Sequence, residues 1–217
     1  MSQELVKKIA EFVRLKLQNE PTGHDWFHTK RVWEMAKKIQ EKEGGELELI
    51  ELAALMHDLG DNTQYEFDKI KGSLILRGMM EVLNIEPEKQ EKVLEIIESA
   101  KYKGVETEQL KTLEGKILRD ADWLDAMGAV GIARTFATGG RIKRPLHDPA
   151  RKIRKNLKQH DILYKKQKGT SYNYFFEKAL RLPPLMNTEM GKKIAQKRTD
   201  FLKKYLEQFD GEWAGER

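Results

Sequence analysis

Apolar residues recur every three or four positions along almost the whole chain, and no stretch alternates apolar with polar residues in the manner of a strand. Leu5, Ile9, Phe12, Val13 and Lys16 fall on one helical stripe, and His28, Val32 and Met35 repeat the spacing further on. Pro21-Thr22-Gly23 breaks the first helix, and Thr22 with Asp25 three residues later predicts a capped start for the second, which Gly44-Gly45 ends. A third helix is expected from about Glu46 to Asp58, leaving through Gly60. Two more are expected near 66–83 and 87–101, the latter opened by Pro87. The apolar stretch KILRDADWLDAMGAVGIARTFATGG, residues 116–140, predicts one long central helix. A basic, proline-broken segment follows, and helices at about 172–182 and 187–209 close the chain. The expected class is all-α, and 217 residues suffice to bury one sizeable core. A single domain over 1–217 is expected, with its core at about 20–140 and a basic loop and C-terminal helices over 141–217.

Composition narrows the function. No apolar run approaches the ~20 residues needed to cross a bilayer, and the opening MSQELVKKIAEFVRLKL is amphipathic and carries acids, unlike a secretory leader. A cytoplasmic protein with no membrane partner is expected. There is no cysteine, so disulfides and thiolate metal sites are excluded and any metal must be held by His, Asp and Glu. The formal charge of +5 conceals an asymmetry: residues 1–130 hold 19 Lys and Arg against 26 Asp and Glu, whereas residues 131–217 hold 21 against 9. One half tolerates a cation and the other an anion.

The polar residues inside the apolar helices are the informative ones. His28 lies in the second helix, His57 and Asp58 end the third, and Asp122 sits among Ile117, Leu118, Ala121 and Leu124. Sheltered charges are expensive unless paired or bound to a metal. Two imidazoles and two carboxylates suit one divalent ion in roughly octahedral geometry, such as manganese, magnesium, iron, cobalt or nickel, and zinc fits as well. Adjacent helical residues such as His57 and Asp58 project about 100° apart, so both reach an ion lying between them. Asp125, one turn beyond Asp122 and on the same face, is either a carboxylate that supports a ligating histidine or the ligand itself with Asp122 supporting it. His24, just after Gly23, reads as a residue of the capping region.

His28-x-x-Arg-Val, MHDLGD and DADWLDA together resemble the HD-domain superfamily of metal-dependent phosphohydrolases. The whole chain is similar to a small bacterial and archaeal subgroup whose relatives act on nucleotides. The resemblance implies an HD-domain helical bundle with additional C-terminal helices, and metal ligands at His28, His57, Asp58 and Asp122. It also implies that Asp61 orients or deprotonates the attacking water, with Asn62 assisting. No histidine occurs between 58 and 122, where HD proteins with two or three metals carry extra ones, so a single ion is expected. Such an ion makes water nucleophilic near neutral pH and polarises a phosphoryl oxygen. The transferred group then needs cations on its other oxygens. Residues 141–158 contain eight Lys or Arg and a single acid. Arg134, Lys178 and Arg181 lie where the chain is similar to the subgroup, and Arg31, close to His28, is placed to aim at the same anion. Tyr172, Asn173 and Tyr174 are candidates for holding a sugar or base.

The expected function is hydrolysis of a phosphate ester or anhydride in a nucleotide or related small molecule, with release of pyrophosphate from a nucleoside triphosphate favoured over loss of a terminal phosphate. Two other readings stand beside it. One is a metal-dependent nuclease on single-stranded nucleic acid, tracked by the basic segment. The other is a nucleotide-binding sensor without catalysis.

Overall fold

A computed structural model describes residues 3–59, 69–158, 161 and 169–217. Its helices are α1 (Gln3–Leu17), α2 (Trp26–Glu43), α3 (Leu47–Met56), α4 (Lys69–Val82), α5 (Pro87–Ala100), α6 (Leu113–Asp125), α7 (Gly128–Arg141), α8 (Ser171–Glu177) and α9 (Glu189–Trp213), with two 3₁₀ turns between α8 and α9. The described residues contain no strand, only an isolated bridge from Gly104 to Lys158. None of the described helices is long and apolar enough to cross a membrane.

The all-α bundle expected from the periodicity is what forms among the described residues. Helices α2, α3, α5 and α6 pack on one another, and Val32, Ile39, Leu52, Leu55, Met56, Ile117 and Leu118 are fully buried between them. Helix α3 is so short and apolar that seven of its ten residues are buried, which leaves its C-terminal end, His57 and Asp58, inside the protein. A second apolar cluster, built on Ile132, Phe175 and Leu202, joins α7, α8 and α9.

Several boundaries differ from the sequence reading, and the helix expected over 172–182 ends as α8 at Glu177, before a 3₁₀ turn at Ala179–Arg181. Asp25, not Thr22, caps α2 by accepting from the His28 amide. The stretch 116–140 lies in two helices: α6 ends at Asp125 and α7 begins at Gly128, which has φ +67. The turn is tight, since a Cβ at Gly131 would stand 2.3 Å from the Ala126 carbonyl carbon and oxygen. Apolar continuity across Ala126-Met127 reflects burial of the corner and hides the break.

The C-terminal helices are latched to this frame through a buried carboxylate. Asp120 on α6 is fully buried and accepts from the Asn187 and Thr188 amides, the Asn187 side chain at 2.8 Å and the Thr188 hydroxyl at 2.8 Å. These donors precede α9, so the anion also sits at the positive end of that helix.

Candidate metal centre

His28 on α2, His57 and Asp58 at the end of α3, and Asp122 on α6 meet at one point. His28, His57 and Asp58 offer ligand atoms within 4.8 Å of one another. The Asp122 Oδ1 lies 3.5 Å from His28 Nε2 and 3.9 Å from His57 Nε2. The tautomers follow from the partners. His57 Nδ1 donates to the Ala54 carbonyl at 2.8 Å, and His28 Nδ1 donates to Asp125 Oδ2 at 2.7 Å. Each ring therefore turns an Nε2 lone pair inward, and the two nitrogens stand 3.2 Å apart. Two acceptors at that distance repel unless a proton or a cation lies between them. Asp58 Oδ2 is buried with no hydrogen-bond partner among the described residues, although His28 Nε2 is 3.2 Å away. Lone pairs facing one another beside an orphaned carboxylate oxygen are what a divalent ion satisfies, so the donor set fits the expected metal.

Without an ion the same need is met by a proton. Burial and the Arg134 cation both push the His28 imidazole down, but Asp58 and Asp125 outweigh them and bring it up to about 9. Asp58 is driven up by burial and down by His57 and His28, and ends well below the usual carboxylate range.

The two carboxylates of the alternative left open by the sequence stand on different sides of His28, Asp122 by Nε2 and Asp125 by Nδ1. Asp125 points away from the convergence and binds His28 Nδ1, Arg31 through Nε at 2.7 Å and Nη2 at 3.0 Å, and Arg134 Nη1 at 3.0 Å. It orients the histidine, and Asp122 is the residue on the metal side. Arg31 covers Asp125 from outside.

His24, read as part of a cap, stands beside the centre with its ring 5.6 Å from that of His28. Burial lowers its pKa to about 3, so the ring is neutral. The Thr22 hydroxyl donates to Glu20 at 2.7 Å and must then accept from His24 Nδ1 at 2.9 Å, which leaves the His24 Nε2 an acceptor. Gly23, at φ +83, admits the Arg134 stem: a Cβ there would be 2.9 Å from Arg134 Cγ.

The remaining candidates divide. Arg134 is nearly buried, with an unpartnered Nε. Lys178 is half-buried, with Nζ 5.4 Å from the Tyr102 ring centroid and 5.9 Å from that of Tyr174. Burial alone would lower the Lys178 pKa, but Tyr174 and Asp122 keep it raised. Tyr102 escaped the sequence reading because it comes from the loop after α5 and only the fold brings it here. Asn173 and Arg181 make contacts within the protein. The Asn173 amide is buried and donates to the Arg151 carbonyl at 2.9 Å. Arg181 donates to the Phe176 and Arg154 carbonyls at 3.0 Å and 3.2 Å. Both tie the basic loop to α8; Arg181 spends two of its five N–H donors on these carbonyls. Tyr172 is likewise committed to Asp210 at 2.6 Å. Asp61 and Asn62 lie outside the described residues.

Comparison with known proteins agrees with this geometry. The family model described as HD domain matches residues 26–127, which span the four converging residues. The chain is 32% identical over 216 residues to the uncharacterized protein YpgQ of Bacillus subtilis (strain 168), covering 96% of this chain and 94% of YpgQ. A solved structure of YpgQ in complex with ADP is similar at TM-score 0.73 and 31% identity, over 98% of this chain and 100% of that one. A protein from Lactobacillus plantarum is similar at TM-score 0.89 and 30% identity, over 99% of both chains. An HD-superfamily hydrolase from Bacillus thuringiensis is 37% identical at TM-score 0.71, over 98% of both. The family model's match and the identity shared with these relatives over nearly the whole chain show that it belongs to the HD-domain superfamily, a family of hydrolases.

Proposed function

We propose that the chain is a metal-dependent phosphohydrolase that attacks the α-phosphate of a nucleoside triphosphate and releases pyrophosphate. The observation that carries this reading is the pair of inward Nε2 lone pairs, 3.2 Å apart, beside Asp58 and Asp122. A single divalent ion held by His28, His57, Asp58 and Asp122 would supply a nucleophile from water near neutral pH and draw charge from a phosphoryl oxygen. The side chains around it have separate tasks. Arg134 and Lys178 offer cations next to Asp125 and Asp122, where the equatorial oxygens of a transferred phosphoryl group need them. Tyr102 and Tyr174 flank Lys178 and provide faces for a base or sugar. Asp61 orients the attacking water in this scheme. The capture of ADP by YpgQ supports a nucleotide as the substrate class.

The test is a metal-by-substrate screen: chelated protein reloaded with manganese, magnesium, cobalt, nickel or zinc, incubated with nucleoside mono-, di- and triphosphates, with phosphate and pyrophosphate read separately. Pyrophosphate from a triphosphate, absent in Asp58→Ala, is the expected result. Phosphate alone would move the attack to the terminal group, and neither product from any nucleotide would overturn the reading. Asp61→Asn should keep its metal and lose turnover; an unchanged rate would remove Asp61 from the mechanism.

A further inference from the structure

A second concavity lies on the outer side of Asp125. Its volume is about 300 Å³, it is walled by α2, α6, α7 and α9, and none of the four converging metal-side residues lines it. It meets the centre at Asp125 and at Arg31, which binds Asp125 from the cavity side.

Its charge is unbalanced. Lys30 and Lys38 are exposed on α2 and have no ion pair among the described residues. Arg198 of α9 reaches in from the opposite wall, and its only hydrogen bond among the described residues is to the Leu124 carbonyl. Burial lowers the pKa of that guanidinium, and the neighbouring Arg31 adds to the effect while Asp125 opposes it. The two acids of the wall are already engaged, Glu34 with Lys37 at 3.0 Å and Asp125 with His28, Arg31 and Arg134. The rim also carries an exposed aromatic ring: Phe27, in the first turn of α2, is 63% exposed. Val130 forms part of the opposite wall in the first turn of α7, a turn that has no side-chain cap.

Unneutralised cations around a cavity of this size raise the local concentration of anions, and an exposed aromatic face beside them is a platform on which a base can stack. We propose that this cavity is a second ligand site, for a nucleoside phosphate: Lys30, Lys38 and Arg198 take the phosphate and Phe27 stacks on the base. The site is independent of the reaction at the metal centre, but Arg31 belongs to both. An anion that engages Arg31 competes with Asp125 for it, and Asp125 holds His28.

The experiment uses the full metal-loaded chain, isotope-labelled at its methyl groups, and follows Met35 and Val130, both of which line the cavity. Adenosine monophosphate should shift both signals saturably, and adenosine should not. In a Lys30→Glu/Lys38→Glu double variant the dissociation constant read from these methyls should rise about tenfold or more. Both positions are exposed, so fold and metal content should be retained, as checked by circular dichroism and elemental analysis. The proposal is overturned if the two methyls do not move, if adenosine moves them as much as the monophosphate does, or if the folded double variant binds undiminished.

Discussion

His28 performs different work with its two nitrogens. Nδ1 donates to Asp125, and this fixes the tautomer that turns Nε2 toward Asp58 and His57. In the metal-free protein Nε2 carries a proton because the imidazole is raised from 6.5 to about 9. Its pairing with Asp58 therefore stabilises the metal-free fold fully below about 6.5 and is lost as pH rises through about 9. A metal must displace that proton. Affinity should rise about tenfold per pH unit between those limits and level off above them, measured by competition with a chelator of known pH behaviour. A flat profile over that window would show that no proton leaves with metal entry. In Asp125→Asn the ring loses the anion that fixes it, and affinity should fall about 10- to 100-fold with the four ligands intact. Affinity equal to that of the parent would leave Asp125 no orienting role.

At the scale of elements, Asp120 is the joint between α6 and α9. Removing its carboxylate strands two amides, a hydroxyl and a side-chain amide in a buried place. Asp120→Ala should cost about 3 kcal/mol or more in thermal unfolding while the metal is still bound, because Asp120 faces away from the centre. A loss well under 1 kcal/mol would mean that apolar packing, not the carboxylate, docks α9. The legibility of the sequence divides along the same line. The helices were legible because a buried stripe must repeat every three or four residues. His28, His57, Asp58 and Asp122 stood out because ionisable side chains rarely tolerate apolar surroundings without a ligand. What escaped depends on partners distant in sequence. Asp120 belongs to the same DADWLD run as Asp122, yet its donors lie 67 and 68 residues away. The corner between α6 and α7 reads as apolar helix because Trp123, Leu124, Met127 and Ile132 on its two sides are buried. Asn173 looked like a ligand residue because nothing local shows that the Arg151 carbonyl occupies its amide.

For the whole molecule, the metal centre draws one residue or pair from each of α2, α3 and α6, so an ion there clamps three helices that the chain enters at widely separated points. Metal that binds only the folded chain stabilises it by RT ln(1 + [M]/Kd), about 4 kcal/mol at a thousandfold excess over Kd. In a chain of 217 residues each kcal/mol moves the midpoint by about 2–4 °C, so saturating metal should raise it by about 8–16 °C over chelated protein. Asp58→Ala should show no such rise. The Asp120 latch extends the consequence to α7, α8 and α9: if it makes the chain one cooperative domain, calorimetry should give a single transition that metal moves as a whole. A second transition that stays in place as metal is added would assign the C-terminal helices to a separate unit. No shift of any transition would deny the centre its ion.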